Sequence, residues 1–338
     1  MRGRVLCSTA MPRARIVFLG TGGALNPERY QAALLVERGT TRCLLDTGGG
    51  LGVVRRLLAA EVDPSSVGHV FLSHRHLDHV GGLEPLLMYV FYQSVRTGQP
   101  LPSVRLYALP GSATAVRASQ AAADASGERV FGERLAWVTP TGGVAVELDA
   151  GARLTLVPVD HLPPGGEAGG CVLDVDGARV VYSGDTRPCE ALTDAARGAD
   201  LLVHEVGGLE SRAELLHRVG HSTAADAGRA AARAGARALA LFHAPAAQWV
   251  APADLLAEAR RQAPGVRVPQ RGRDDAGGVT IRKSELVRAA GLEPARPFGQ
   301  CVLSASRLPV TPRPRSPRDA EESTRVSTGG AGRIRTAE

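Results

Sequence analysis

Three histidines and an aspartate crowd into the segment SHRHLDH, as His74, His76, Asp78 and His79. Two imidazoles two positions apart after a strand can point into one coordination sphere. The adjacent Asp78 and His79, opening the helix that follows, can face a second. Neutral imidazole and carboxylate suit zinc, manganese or iron, and donor softness does not choose among them. Three more donors stand where strand-like runs end: His161 in LVPVDH, Asp185 in VVYSGDT and His243 in LALFHA. With His74, His76 and His161 around one ion, Asp78, His79 and His243 around the other and Asp185 bridging, both spheres keep room for a shared water. Two cations about 3.5 to 4 Å apart lower the pKa of such a water towards 7 and hold the leaving oxygen of an in-line displacement. The chemistry this implies is metal-assisted hydrolysis.

These donors need elements that converge on one edge. IVFLGTGG reads as a strand ending in a glycine turn, and AALLVERGTTRCLLDTGGG as a hairpin ending in Asp46 and glycines. GVVRRLLAA reads as a helix, and HVFLSHRHLDHVGGLEPLLMYVFYQ as a strand, a His-rich loop and a helix. After a stretch of uncertain character, RLTLVPVDH, GCVLDVDG, ARVVYSGD, DLLVHE and ALALFHA are all strand-like. Most of them end in a polar or metal-competent residue, so strand ends can meet on one rim while the apolar parts fill a core.

The ordered series FLGTGG, LLDTGGG, SHRHLDHVGGL, His161, SGDT, HEV, GHST and LFHA resembles the metallo-β-lactamase superfamily, and within it the ribonuclease Z-like branch, over about residues 14 to 283. The resemblance implies an α/β fold, a four-layer αββα sandwich with a dinuclear site at one edge. It implies two divalent ions, zinc first and manganese as the alternative. The metal ligands it implies are His74, His76, Asp78, His79, His161, Asp185 and His243. Asp46 matches the family's early aspartate, expected to hydrogen-bond a ligand histidine and fix its tautomer. Glu205 and His221 match a Glu and His pair in which the histidine protonates the leaving oxygen, and Asp78 joins them among the catalytic residues. Expelling an alkoxide builds charge in the transition state, and an imidazolium held by a carboxylate is a suitable general acid. Ser222 is read as the N-cap of the Ala-rich helix after it. His69, His204 and His217 are read as structural.

The implied activity is a phosphodiesterase of ribonuclease Z type, on an RNA 3′ end or a small or cyclic nucleotide diester, with an arylsulfatase-like or lactonase-type hydrolase as the alternative. Two departures bear on the substrate. In bacterial ribonuclease Z proteins an arm that grips transfer RNA is inserted before the bridging aspartate, whereas only 23 residues separate His161 from Asp185 here. DTGGGLG also lacks the Glu and Gln expected after its Asp. Tyr89, Phe91 and Tyr92, three of thirteen aromatic residues, either line a pocket for a flat group or pack their helix. Gly20, Gly22 and Gly23 lack the GxGxxG spacing of a nucleotide loop and read as a tight turn near the metal site.

Composition sets bounds on this reading. The chain has 338 residues, 44% hydrophobic and 22% charged, enough for a large core. Five scattered cysteines without a CxxC pair suggest neither a disulfide framework nor a zinc ribbon. No apolar run approaches the length of a membrane span, so the expectation is a cytoplasmic protein with no membrane partner. The net charge of +6 invites a nucleic-acid reading, yet residues 284 to 338 hold nine Arg against six Asp or Glu, so half of the excess lies there. Periodicity ends near 283. The expected organisation is a 1–13 extension, a 14–283 hydrolase domain and a 284–338 tail of disordered or read-through character. The resemblance leaves room for a homodimer.

Overall fold

The computed structural model describes residues 14–123, 125–268, 278–282 and 285–286. The expected 1–13 extension, and the expected tail apart from Glu285 and Leu286, lie outside the described residues.

The chain builds two sheets. The first runs through β1 (Arg15–Gly20), β2 (Ala33–Arg38), β3 (Thr41–Leu45), β4 (His69–Phe71), β5 (Val104–Tyr107) and β6 (Leu135–Val138). Its early hairpins are antiparallel, and the pairings from β3 to β6 are parallel. The parallel crossovers carry helices, as parallel pairing requires: α1 (Gly52–Ala59), α2 (Leu77–Val80), α3 (Leu83–Thr97), α4 (Pro110–Ala122) and α5 (Gly127–Phe131). The second sheet comprises β7 (Ala145–Glu147), β8 (Arg153–Val159), β9 (Ala168–Val175), β10 (Ala178–Tyr182), β11 (Leu201–Glu205) and β12 (Leu239–Phe242). Here β7 to β10 form an antiparallel meander, and β10, β11 and β12 are parallel. Helices α6 (Glu190–Ala195), α7 (Ala213–Arg218), α8 (Ala224–Ala234) and α9 (Pro252–Gln262) come from this half. Two short strands, β13 (Gly278–Arg282) and β14 (Glu285–Leu286), extend the first sheet beyond β1.

Strand alternation sorts side chains into three cores. Leu34, Val36, Cys43 and Leu45 of β2 and β3 meet Leu154, Leu173, Val180 and Tyr182 between the sheets. The alternate residues Ala33, Leu35 and Leu44 face outward onto Val53, Leu57, Leu83 and Leu87 of α1 and α3. On the far side Val181, Leu202 and Leu241 pack against the alanines of α8 and Leu255 of α9. A sheet apolar on both faces must be covered on both, and three apolar seams between four layers are the αββα sandwich that the sequence led us to expect. The seam beneath α8 is narrow: a Cβ on Gly228 would lie 2.4 Å from the Ala259 carbonyl of α9.

The start of α8 corrects one expectation. Thr223, not Ser222, is the N-cap, and its hydroxyl accepts from the Asp226 amide in a reciprocal capping box. The Ser222 hydroxyl is diverted to the Thr186 carbonyl, 2.7 Å away, because the turn before the helix is buried against the loop after β10.

Strand direction is what matters for the site. The ends of β3, β4, β8, β10, β11 and β12 lead directly to Asp46, His74, His161, Asp185, Glu205 and His243. Parallel registers place these C-terminal ends on a common edge within each sheet, where crevices form in open α/β sheets.

Candidate metal centre

At that edge the six residues from His74 to His79 split into two groups, with Arg75 and Leu77 exposed between them. His74, His76 and His161 offer ligand atoms within 4.8 Å of one another, and so do Asp78, His79, Asp185 and His243. Asp185 lies between the groups. Its Oδ2 is 3.2 Å from His79 Nε2 and from His243 Nε2, and 3.9 Å from His74 Nε2 and His161 Nε2. Asp78 Oδ2 closes the second group, 3.2 Å from His243 Nε2 and 3.4 Å from His79 Nε2.

The buried polar atoms of this cluster identify what it is built to hold. His74 Nε2, His79 Nε2 and Asp185 Oδ1 are buried and carry no hydrogen bond. Buried polar groups without partners are costly, about 1–3 kcal/mol each, so several converging on one point require an occupant. Imidazole and carboxylate donors at this spacing fit divalent cations. Burial and the neighbouring His79 hold the His74 imidazole well below its usual pKa, in the neutral form a metal needs. Burial would raise Asp185, but His243 and His79 hold it well below the usual carboxylate range.

Three of the rings, those of His161, His79 and His243, are secured from behind. His161 Nδ1 donates to the Gly220 carbonyl at 2.8 Å, and His79 Nδ1 to Asp46 Oδ2 at 2.7 Å, the bond expected of Asp46. His243 has φ +56°, a conformation uncommon outside glycine. A second loop secures it: the Asn26 amide donates to the Ala244 and Pro245 carbonyls at 3.0 Å, and Ala244 N donates to Thr21 O at 2.9 Å. Gly23 lies under the ring, where a Cβ would be 3.2 Å from Cε1. The glycine turn therefore permits close backbone approach beside the centre. Gly220 and Asn26 carried no sequence signal beyond lying in turns.

Glu205, fully buried at the end of β11, accepts from His221 Nδ1 at 3.0 Å, Thr186 N at 3.0 Å and Ser222 N at 3.2 Å through Oε1. Burial would lower the pKa of His221, but the Glu205 carboxylate outweighs it and lifts the imidazole to about 9. His221 stands beside the cluster, its ring centroid 4.9 Å from that of His161 and 5.2 Å from that of His243. The structure thus brings together Asp46, His74, His76, Asp78, His79, His161, Asp185, Glu205, His221 and His243.

The remaining histidines lie elsewhere. His69 is buried between the Tyr107 hydroxyl and Asp149, His204 donates to the Glu205 carbonyl, and His217 on α7 pairs with Asp226. Tyr89 and Phe91 pack on the outer core and Tyr92 is exposed, so the aromatic cluster serves its helix rather than a pocket at the centre.

Known proteins resemble this chain in sequence and in fold. Residues 41–244 match the model of the beta-lactamase superfamily domain. The chain is 34% identical to ribonuclease Z of Ignicoccus hospitalis, over 69% of this chain and 88% of that protein. It is 31% identical to ribonuclease Z of Mycobacterium bovis, over 68% and 85%. Among solved structures, the metallo-β-lactamase fold protein YhfI of Bacillus subtilis superposes with a TM-score of 0.63 at 20% identity, over 76% of this chain and 96% of that one. The short form of human tRNase Z gives 0.57 at 20% identity, over 68% and 92%.

Proposed function

This chain belongs to the beta-lactamase superfamily, with its metal-dependent hydrolase fold, and from that premise we propose that it is a dinuclear phosphodiesterase of ribonuclease Z type. Its seven ligands are His74, His76 and His161 for one ion, and Asp78, His79 and His243 for the other, with Asp185 between. When bound, the two ions, zinc before manganese, supply Lewis acidity and an activated water at neutral pH.

The protein's own residues then have separate tasks. Asp185 keeps both groups at one separation. Asp46 and the Gly220 carbonyl hold His79 and His161 through Nδ1, which turns each Nε2 towards the metal groups, that of His161 lying 3.1 Å from His76 Nδ1. Glu205 keeps His221 protonated, and His221 delivers that proton to the leaving oxygen. The observation that carries this reading is the buried Glu205 to His221 bond beside the metal centre, since a leaving alkoxide needs a proton that an already good leaving group does not.

The substrate reading is a nucleotide diester, and the stretch between His161 and Asp185 bears on its size. That stretch is spent on a short turn, β9 and β10, with no residues left over for a protruding arm. Small or cyclic diesters and short RNA 3′ ends are therefore favoured over a folded transfer RNA. The test sets a dinucleoside phosphate, a diester whose leaving group is an alkoxide, beside an aryl sulfate, a lactone and a transfer RNA precursor for wild type and His221→Ala. Diester turnover should fall roughly 10²- to 10⁴-fold in the variant with zinc content retained. Preferred turnover of the sulfate or lactone, or diester turnover untouched by the variant, defeats the phosphodiesterase assignment. Efficient trailer removal would overturn the small-substrate reading.

A further inference from the structure

Behind the metal centre lies a hydrogen-bond hub that reaches both ligand groups. Asp46 is fully buried with φ +56° at the end of β3. Its Oδ1 accepts from Ser73 N at 2.7 Å. Its Oδ2 accepts from His79 Nδ1, from the Ser73 hydroxyl and from the Tyr182 hydroxyl, each at 2.7 Å. Four donors converge on this one buried carboxylate and leave it no rotational freedom. The Ser73 hydroxyl, its own proton committed to Asp46, can only accept from its other neighbours. His74 Nδ1 is 3.0 Å away and therefore carries a proton.

We propose that Ser73 is a positioning residue through which the single carboxylate of Asp46 orients one histidine in each metal group: His79 directly, and His74 by way of the Ser73 hydroxyl. Both rings then present Nε2, the atoms found buried without a hydrogen bond. Tyr182 stands differently. Its hydroxyl donates to Asp46 alone, so it helps to keep the carboxylate in place without touching either ring. Breaking the Ser73 link should disturb His74 selectively while weakening both ions, because Asp46 loses a donor at the same time. Removal of such outer partners typically costs 10- to 100-fold in metal affinity.

The inference rests on the two-metal reading above, and the test separates them. Full-length protein loaded with zinc is compared as wild type, Ser73→Ala and Tyr182→Phe. Zinc stoichiometry and chelator competition are measured, together with proton NMR of the histidine Nδ1–H groups on ¹⁵N-histidine protein. Wild type should hold two zinc ions and show slowly exchanging Nδ1–H protons for both His74 and His79. Ser73→Ala should lose the His74 signal to exchange, keep that of His79, and bind each zinc at least tenfold more weakly. Tyr182→Phe should keep the His74 signal. An unchanged His74 proton in Ser73→Ala, a loss confined to one ion, or equal loss of that proton in Tyr182→Phe overturns the role of Ser73. Wild type that binds no zinc overturns the metal centre itself.

Discussion

Gly220 makes the residue-scale case. Its φ of +87° is open to glycine, and a Cβ there would lie 2.2 Å from the His161 carbonyl and 2.9 Å from Nδ1 of the ring it holds. One glycine thus joins a metal-group histidine to the loop that carries His221. Gly220→Ala combines a clash with a strained backbone that costs about 1–3 kcal/mol. It should lower Tm by several degrees and weaken zinc binding through His161. Differential scanning calorimetry with elemental analysis checks this, and unchanged values for both would show that the loop yields without disturbing His161. Residue chemistry at the centre was legible in SHRHLDH because ligand types and spacing are local. The partners behind the rings were not: Gly220 bonds His161 across 59 residues, and Ser73, though it adjoins His74, takes its link to Asp46 across 27, and such distances leave no periodic trace.

At the scale of elements, α8 shows how a helix start is tied to the site. Its capping box links Thr223 and Asp226, and Asp226 also accepts from His217 of α7 at 2.7 Å and pairs with Arg229 one turn on. Glu210 faces the same Arg229 at 3.0 Å. Burial raises the Asp226 carboxyl, but His217, Thr223 and Arg229 outweigh it and bring it down to about 2. A depressed carboxylate stabilises the fold fully above its unfolded pKa near 3.9, and that contribution fades as pH falls from about 4 through 2. Asp226→Asn should therefore cost on the order of 1 kcal/mol at pH 6. Its difference from wild type in urea midpoint should shrink steadily between pH 4 and 2.5. A difference that does not depend on pH would mean that the carboxylate's charge contributes nothing to the cap. The helix itself was readable from its alanines, but its first residue was not. Ser222 and Thr223 have equal capping chemistry, and only the buried Thr186 carbonyl assigns Ser222 elsewhere.

For the whole molecule, the metal centre joins the two halves of the sandwich. His74, His76, Asp78 and His79 follow β4 of the first sheet, whereas His161, Asp185 and His243 follow strands of the second. On the proposed two-metal reading, ions shared between them would act as staples between sheets and stabilise the native state by about 2.7 kcal/mol per site at a hundredfold excess over Kd. Removing zinc with a chelator should lower Tm in one cooperative step, and restoring zinc should recover it. Unaltered melting after verified metal loss would mean that the apolar seam alone holds the sheets. No helix among the described residues is long and apolar enough to cross a membrane.

The sequence by itself determined which candidate ligand types stand at strand ends, and its resemblance to the metallo-β-lactamase superfamily implied the covered sandwich that the structure shows. Its family resemblance also named Glu205 and Asp46. Only the tertiary structure decided which groups these residues meet. It put the Glu205 carboxylate within hydrogen-bond reach of His221, turned Asp46 onto His79, excluded the aromatics of α3 from the centre and brought Asn26 beneath the His243 loop. The reason is physical. Ligand identity and strand patterning are local properties of the chain, whereas proton positions depend on which distant backbone and hydroxyl groups fold against each ring.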